Sequence, residues 1–407
     1  MSARPQLLFL AQRIPYPPMK GEKIRPLQTI QHLRRTYDIH LGTLIDDPRD
    51  WEHVPAVEAL CASTWFSGVN RKLANITCQT GWLTGEPLSV TFYRDRKLQA
   101  WVRRILDEVK PEAIFVFSGN MAPYVLGLKG VERVRLVDLT DVDSEKWRAY
   151  AEVAKFPMNW VYRREWRKTA ELEARIAREC DWCTFVSDDE AALFAKLQPA
   201  QKAKIRAVSN GVDHAYFDPA QGFAAPFETD RLNFVFTGTM DYPPNVDAVV
   251  WFAREILPLI RRTAPDARFH VVGSSPSAEV QALAALDGVF VTGRVPDVRP
   301  YLAHASAGVA PMRIARGIQN KVLESMAMAR PTVVTRDALE GIEATPGREV
   351  LLADTAEAFA AACLEAARPE AAPMARAARQ RVLSDYVWAE RLRGFDELLA
   401  AANTPRK

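Results

Sequence analysis

The sequence predicts an α/β protein made of two Rossmann-like domains, each with a parallel, doubly wound sheet, the two facing a central cleft. Three observations lead there. Short β-rich runs alternate with longer helical patterns along most of the chain. The alternation halts at a Pro-, Gly- and Asp-rich stretch, 214–232, read as a linker, and then restarts. The length, 407 residues, exceeds what one ordinary core fills.

The first domain, 1–205, opens with "LLFLA" (7–11), a Pro-rich loop and a helical pattern from about Arg25 to Arg35. Strand patterns follow at "IHLGTLI" (39–45), "AIFVFS" (113–118), "VRLVDL" (134–139), "WCTFVS" (182–187) and "IRAVS" (205–209), with helical patterns at 94–110 and 160–179. The second domain, 206–385, carries "NFVFTG" (233–238), a helix from about 245, "RFHVVG" (268–273), "VFVTG" (289–293), "AGVAP" (307–311) and "PTVVT" (331–335). Helical patterns at 355–367, 371–384 and 388–402 close the chain, and 386–407 is expected to cross back to the first domain.

Hydrophobic content of 48% and charged content of 25% describe a folded globular chain. A net charge of +3 is too small at this length to argue for nucleic acid. Five cysteines, an odd number, argue for a reducing compartment, and Cys180-x-x-Cys183, with no second pair nearby, reads as structural. The apolar run before Gln12 is too short for a signal peptide, and a membrane span needs about 20 apolar residues. The expected location is therefore cytoplasmic, free or resting on a membrane surface.

Ligands of open α/β sheets bind at the carboxyl ends of the strands, so function is read from the loops that follow them. After "AGVAP" comes "RGIQNKVLESMAM" (316–328): a glycine loop, then a helix with Asn320 as its expected N-cap and an end before Pro331. Gly317 lets backbone approach a ligand, and the free N–H groups of the helix start suit a phosphate. Lys321 and Glu324, three apart, share a helix face. Glu324 accepts hydrogen bonds only and could take both from a vicinal diol such as a ribose. Alone, the pair is equally an ordinary surface Lys–Glu. Three further strand–glycine–helix turns join it, with Gly238, Thr239 and Asn245, with Gly273, and with Gly293, Arg294 and Val295. Together they make a nucleotide cradle, and no GxGxxG argues for hydride transfer.

"VSNGVD" (208–213), the "GTM…PN" loop, "VVG", "VTGRV" and "GIQNKVLESMAMARPTVVT" together resemble glycosyltransferase family 4, retaining enzymes of the GT-B fold. The likeness covers nearly the whole chain and is strongest over 205–335. The full-length pattern, including "RIPYPPMKGEKIRPL" and "VDLTDVDSEKW", is close to the sugar transferases associated with PEP-CTERM/exosortase exopolysaccharide systems. The resemblance implies a nucleoside diphosphate sugar donor, a glycan acceptor of the lipid-linked kind, no cofactor and no metal in the chemistry. It places Glu324 at the second glutamate of a Glu-x7-Glu motif, on the ribose. Arg316 stands where the first glutamate belongs, so sugar and phosphate contacts fall to the backbone of Gly317, Ile318 and Gln319. Thr239 and Asn245 stand where many members carry an Arg and a Lys for the diphosphate. Arg313 and Lys321 are the expected substitutes, with Arg294 as an outsider.

In the amino-terminal loop, prolines stiffen the backbone and Gly21 matches the family's diphosphate-closing glycine. Lys20, Lys23 and Arg25 are expected to add positive potential. Asp138, Asp141 and Asp143 follow a strand, and Asp138 or Asp141 is expected to orient the acceptor hydroxyl. Asp141-Val142-Asp143 matches the DxD of a different glycosyltransferase fold, a weak pattern for metal. Aromatic and basic residues interleave over 146–168, as suits an anionic membrane surface. Trp388 is expected to anchor the terminal helix. Two rival readings are a GT-B epimerase or hydrolase of nucleotide-sugars and a noncatalytic nucleotide-sugar-binding subunit.

Overall fold

The computed structural model describes residues 4–18, 21–128, 133–315 and 318–400. The chain divides into two compact units, one reaching to Ser209 together with the segment from Leu392, the other Asn210–Arg391.

The first unit holds a seven-stranded sheet: β1 (Gln6–Ala11), β2 (Asp38–Ile45), β3 (Ser63–Gly68), β4 (Ala113–Phe117), β5 (Val134–Thr140), β6 (Trp182–Phe185) and β7 (Ile205–Ala207). Their order is β3-β2-β1-β4-β5-β6-β7, with every pair parallel. Helices cover both faces, so central strands bury consecutive side chains rather than alternate ones. Leu7 to Ala11 and Ile114 to Val116 are fully buried, and Phe9 stacks on Phe115 at 4.8 Å. The terminal segment joins this unit through Phe395, edge-on to Phe115 at 4.9 Å, and through Asp396, 2.7 Å from His32 Nε2. The helix expected over 388–402 is two, Trp388–Arg391 and Arg393–Ala400. Trp388 belongs to the second unit, where its backbone lies against Gly211 and Val212 bridges Val387.

The second unit holds a six-stranded parallel sheet: β8 (Asn233–Thr237), β9 (Arg268–Val272), β10 (Val289–Gly293), β11 (Ala307–Ala310), β12 (Thr332–Val334) and β13 (Leu351–Leu352). The order is β10-β9-β8-β11-β12-β13, so the winding reverses between β8 and β11. The stretch 214–232 is not a free linker. Phe217 is buried in this unit's core, and Phe227 stacks on His270 at 4.3 Å. Its Pro and Gly residues shape a loop whose aromatic side chains are part of the fold.

Cys180 and Cys183 are buried free thiols of the first unit, and burial pushes both thiol pKa values up. A thiol so held is protonated at neutral pH and unreactive.

Candidate functional site

The reversal between β8 and β11 leaves a crevice at their carboxyl ends, the place where open α/β sheets take ligands. The 316–328 segment delivers its helix, Asn320–Ala327, to that crevice. Val322, Leu323 and Met326 bury one face of the helix. Ser325 lies so close to Gly308 of β11 that a Cβ there would overlap its side chain, and its hydroxyl meets that of Thr332 at 2.9 Å. This packing holds the Lys321–Glu324 face over the end of β8.

Lys321 Nζ sits 2.9 Å from Asn245 Oδ1, 3.4 Å from Gln319 Oε1, 3.8 Å from Met312 Sδ and 4.8 Å from the centre of the Phe236 ring. Asn245 is itself buried and donates through Nδ2 to the carbonyl of Thr239 at 2.9 Å. The Thr237 hydroxyl hydrogen-bonds the Glu324 carboxylate. Burial dominates the titration of both charged groups, because removing water penalises the charged form. It raises Glu324 to about 7 against the opposing pull of Lys321 and Thr237, and it lowers Lys321 to about 8 against the pull of Glu324. A half-buried, poorly hydrated carboxylate beside a half-buried ammonium, joined to the ends of two strands, is an arrangement that a solvated surface pair does not need.

The glycine turns meet at the same edge. Gly273 lies against Gly238, and a Cβ on Gly273 would overlap the Gly238 carbonyl oxygen. Gly238 N–H donates to Val272 O at 3.1 Å, Gly273 N–H to Gly293 O at 3.2 Å, and Met240 N–H to Ser274 O at 2.8 Å. Three loops are thereby laced into one rim. Ile318 is half-buried against the core, Val295 likewise, and Arg294 and Thr239 are exposed on their turns. Gly317 and Arg316 lie outside the described residues, as does Lys20.

Several expectations need correction. The N-cap of the 320–327 helix is Gln319, in extended backbone and without a side-chain cap bond, and Asn320 is already helical. The helix after β8 begins at Pro243, whose fixed φ suits the first turn, so Asn245 lies inside it. Arg313 does not aim at the Lys321 cluster: its guanidinium clasps Asp247 at 2.5 and 3.1 Å and lies 5.2 Å from the Trp251 ring centre. The residues missed by sequence reasoning are Thr237, Phe236 and Met312. The only hint was their position as the last residues of β8 or just after β11.

In the first unit, Asp138 is not at a loop mouth. It is 0% exposed and takes two bonds from Arg25, at 2.6 and 3.0 Å, and one from Thr184 at 2.9 Å. Arg25 also donates to Val208 O at 2.7 Å. Arg25 therefore neutralises a buried carboxylate instead of adding free positive potential, and Lys23 likewise pairs with Asp50 at 2.7 Å. The register shift between Asp138 and Thr140 turns the chain so that Asp138 faces inward and Asp141 emerges beyond it. Asp141 and Asp143 both reach Lys146, at 3.8 and 2.9 Å. Desolvation raises the Asp141 carboxyl, with Lys146 opposing and the neighbouring Asp143 adding to the rise. Gly21 opens the Gly21–Leu33 helix, with open space where a Cβ would stand. Thr140 (φ 68°) and Ser118 (φ 77°), at the ends of adjacent strands, hold left-handed backbone that non-glycine residues seldom adopt. Ser118 Oγ donates to Gln12 Oε1 at 2.7 Å.

Residues 231–368 match the family model described as glycosyl transferases group 1. No curated protein matches the chain. Among solved structures it is similar to sucrose-phosphate synthase from Thermosynechococcus elongatus: TM-score 0.67, 18% identity, over 97% of this chain and 100% of that one. It is similar to HepE from Anabaena in complex with UDP-glucose: TM-score 0.65, 12% identity, over 98% and 100%. It is also similar to a glycosyltransferase from Rickettsia africae: TM-score 0.63, 11% identity, over 99% and 100%. The likenesses show that the chain has the GT-B fold, two Rossmann-like units with parallel sheets.

Proposed function

We propose that this chain is a retaining glycosyltransferase that moves a sugar from a nucleoside diphosphate sugar to a glycan acceptor. The acceptor is lipid-linked, presented at the cytoplasmic face of a membrane, and the product enters exopolysaccharide of the PEP-CTERM kind. One observation carries the reading. The Lys321–Glu324 face lies at the sheet reversal, inside the segment that matches the glycosyl transferases group 1 model. The complex of Anabaena HepE with UDP-glucose supports a UDP-sugar as donor.

In this reading Glu324 takes the two ribose hydroxyls, and the glycine rim admits the diphosphate. Lys321 faces the charge that grows on the diphosphate as the anomeric C–O bond breaks. A fixed cation in a dry site stabilises such charge far better than water does. The leaving phosphate oxygen takes the acceptor's proton, so no strong side-chain base is required. Asp141 orients the acceptor.

Calorimetric titration of UDP, GDP, ADP and their sugars into wild type and Glu324→Ala tests the donor. One nucleotide should bind, and the variant should lose roughly 10- to 100-fold in affinity, the worth of hydrogen bonds to a charged acceptor. If no nucleotide binds, or if the variant binds as well as wild type, the reading fails.

The kcat/KM for the nucleotide-sugar should also follow a bell-shaped pH profile. The diphosphate diester does not titrate in this range, so the limbs belong to the protein. The profile rises as Glu324 ionises near 7 and falls as Lys321 loses its proton near 8. Glu324→Gln should remove the rising limb alone. A flat profile in wild type would rule out this pairing of roles.

A further inference from the structure

The first unit carries a stretch whose amphipathic pattern is inverted. Residues 71–84 form a near-continuous helical run, Arg71–Thr77, Cys78–Thr80 and Gly81–Thr84. The run buries its small residues Ala74, Cys78 and Gly81 and exposes Leu73, Ile76 and Leu83, the last at 90%. The exposed positions are spaced so that they share one side of the run, opposite the buried ones. A helix that packs on a core does the reverse.

A second group lies beside it. The helices Asp143–Val153 and Met158–Glu179 form a hairpin, and its tip exposes Val153, Phe156 (84%) and Trp160. Trp160 stacks on Trp82 at 4.9 Å, so the hairpin tip and the 71–84 run meet. The joint is firm. The Arg164 guanidinium lies 4.4 Å from the Trp82 ring centre and donates to the carbonyls of Gly81 and Glu86, and Glu165 accepts from Leu88 N–H at 2.8 Å. The apolar side chains are thus held outward by a fixed frame.

Charge decides what covers them. Lys72, Lys155, Arg163 and Arg167 are exposed around the patch, and among the described residues none makes an ion pair with a carboxylate. Trp160, Arg163 and Arg167 follow one another at i, i+3 and i+7 along one face of the hairpin's second helix. Glu152 is taken by Arg148 and Glu86 by Arg94. A second copy of this chain docking patch to patch would set cations against cations. An anionic bilayer instead offers phosphates to the cations and hydrocarbon to the apolar side chains, with Trp at the boundary. No helix of the described residues is long and apolar enough to cross a membrane, so such contact is peripheral.

We infer that the 71–84 run and the tip of the 143–179 hairpin form one lipid-facing surface that seats the chain on an anionic bilayer. It deepens the membrane-face part of the proposed function and rests on it for its biological purpose, but its geometry owes nothing to the donor site.

Flotation of the full chain with vesicles of phosphatidylcholine, with and without phosphatidylglycerol, tests it. Wild type should float with the anionic vesicles, and less so as salt rises. Leu83→Glu/Phe156→Glu should abolish flotation while leaving the unfolding midpoint and nucleotide binding unchanged, since both side chains project into solvent. Lys155→Glu/Arg163→Glu should weaken binding to anionic vesicles by at least about tenfold and leave any binding to neutral vesicles alone. Equal binding to both vesicle types overturns the proposal, as does flotation of the Leu83/Phe156 variant. So does a self-association that the same substitutions abolish. A chain that binds a nucleotide-sugar but no vesicle loses this surface and keeps its donor site, and the converse result separates them the other way.

Discussion

Lys321→Ala should lower kcat for sugar transfer by about 100- to 1,000-fold, the usual loss when one fixed group facing a developing anion is removed. The Michaelis constant for the donor should move far less, because the added charge on the diphosphate exists only as the bond breaks. Folding should survive. The Glu324 carboxyl left behind is already pushed up to about 7 by desolvation, so it can take up a proton instead of standing as an unpaired charge. The same geometry supplies a sharper test. Asn245 Oδ1 lies 2.9 Å from Nζ, so a lysine at 245 can put its ammonium into the space that Lys321 leaves. Asn245→Lys in the Lys321→Ala background should recover a large part of kcat, whereas Asn245→Ala in that background should not. An active Lys321→Ala enzyme would remove this residue from the mechanism. An inactive one without recovery in the double variant would mean that the ammonium acts from its own backbone position, not merely from that point in space.

What the sequence made legible was what is local. The alternation of apolar runs located eleven strands within a residue or two of their observed ends, because parallel strands buried on both faces read as unbroken apolar stretches. It missed β3, whose "STWFSG" is half polar at the sheet edge, and β13, only Leu351 and Leu352 long. Within the candidate site, Lys321 and Glu324 were visible because three residues on a helix fix a shared face. Their partners were not. Thr237 and Asn245 come from chain some 80 residues earlier and are brought there by strand order, which no spacing encodes. Arg313 failed as a candidate for the same reason: its partner, Asp247, is 66 residues away. The exposed stripe of Leu73, Ile76 and Leu83 was equally hidden, since which side of a helical run faces the core is decided by what packs on it. In each case the residue type was readable and its neighbour was not.

Asp138→Ala should cost about 3–5 kcal/mol of stability, the penalty for leaving a buried guanidinium without its carboxylate. For a unit of this size that is a fall of roughly 6–20 °C in unfolding midpoint. Arg25 would lose two short bonds and keep its donation to Val208 O, while Thr184 would lose its acceptor. The loss should be strongly non-additive. Arg25→Met with Asp138→Leu removes both charges together and should unfold at a higher temperature than Asp138→Ala, because no lone charge stays buried. Asp141→Asn should behave in the opposite way. Its side chain is about half exposed and its ion pair with Lys146 is long, so stability should shift by no more than about 0.5 kcal/mol. Any effect should appear in kcat and in the Michaelis constant for the acceptor. Thermal unfolding and transfer measured side by side on both variants separate the two roles carried by one short segment, "VDLTD". An Asp138→Ala protein that unfolds like wild type yet transfers no sugar would reverse the assignment and return Asp138 to the chemistry.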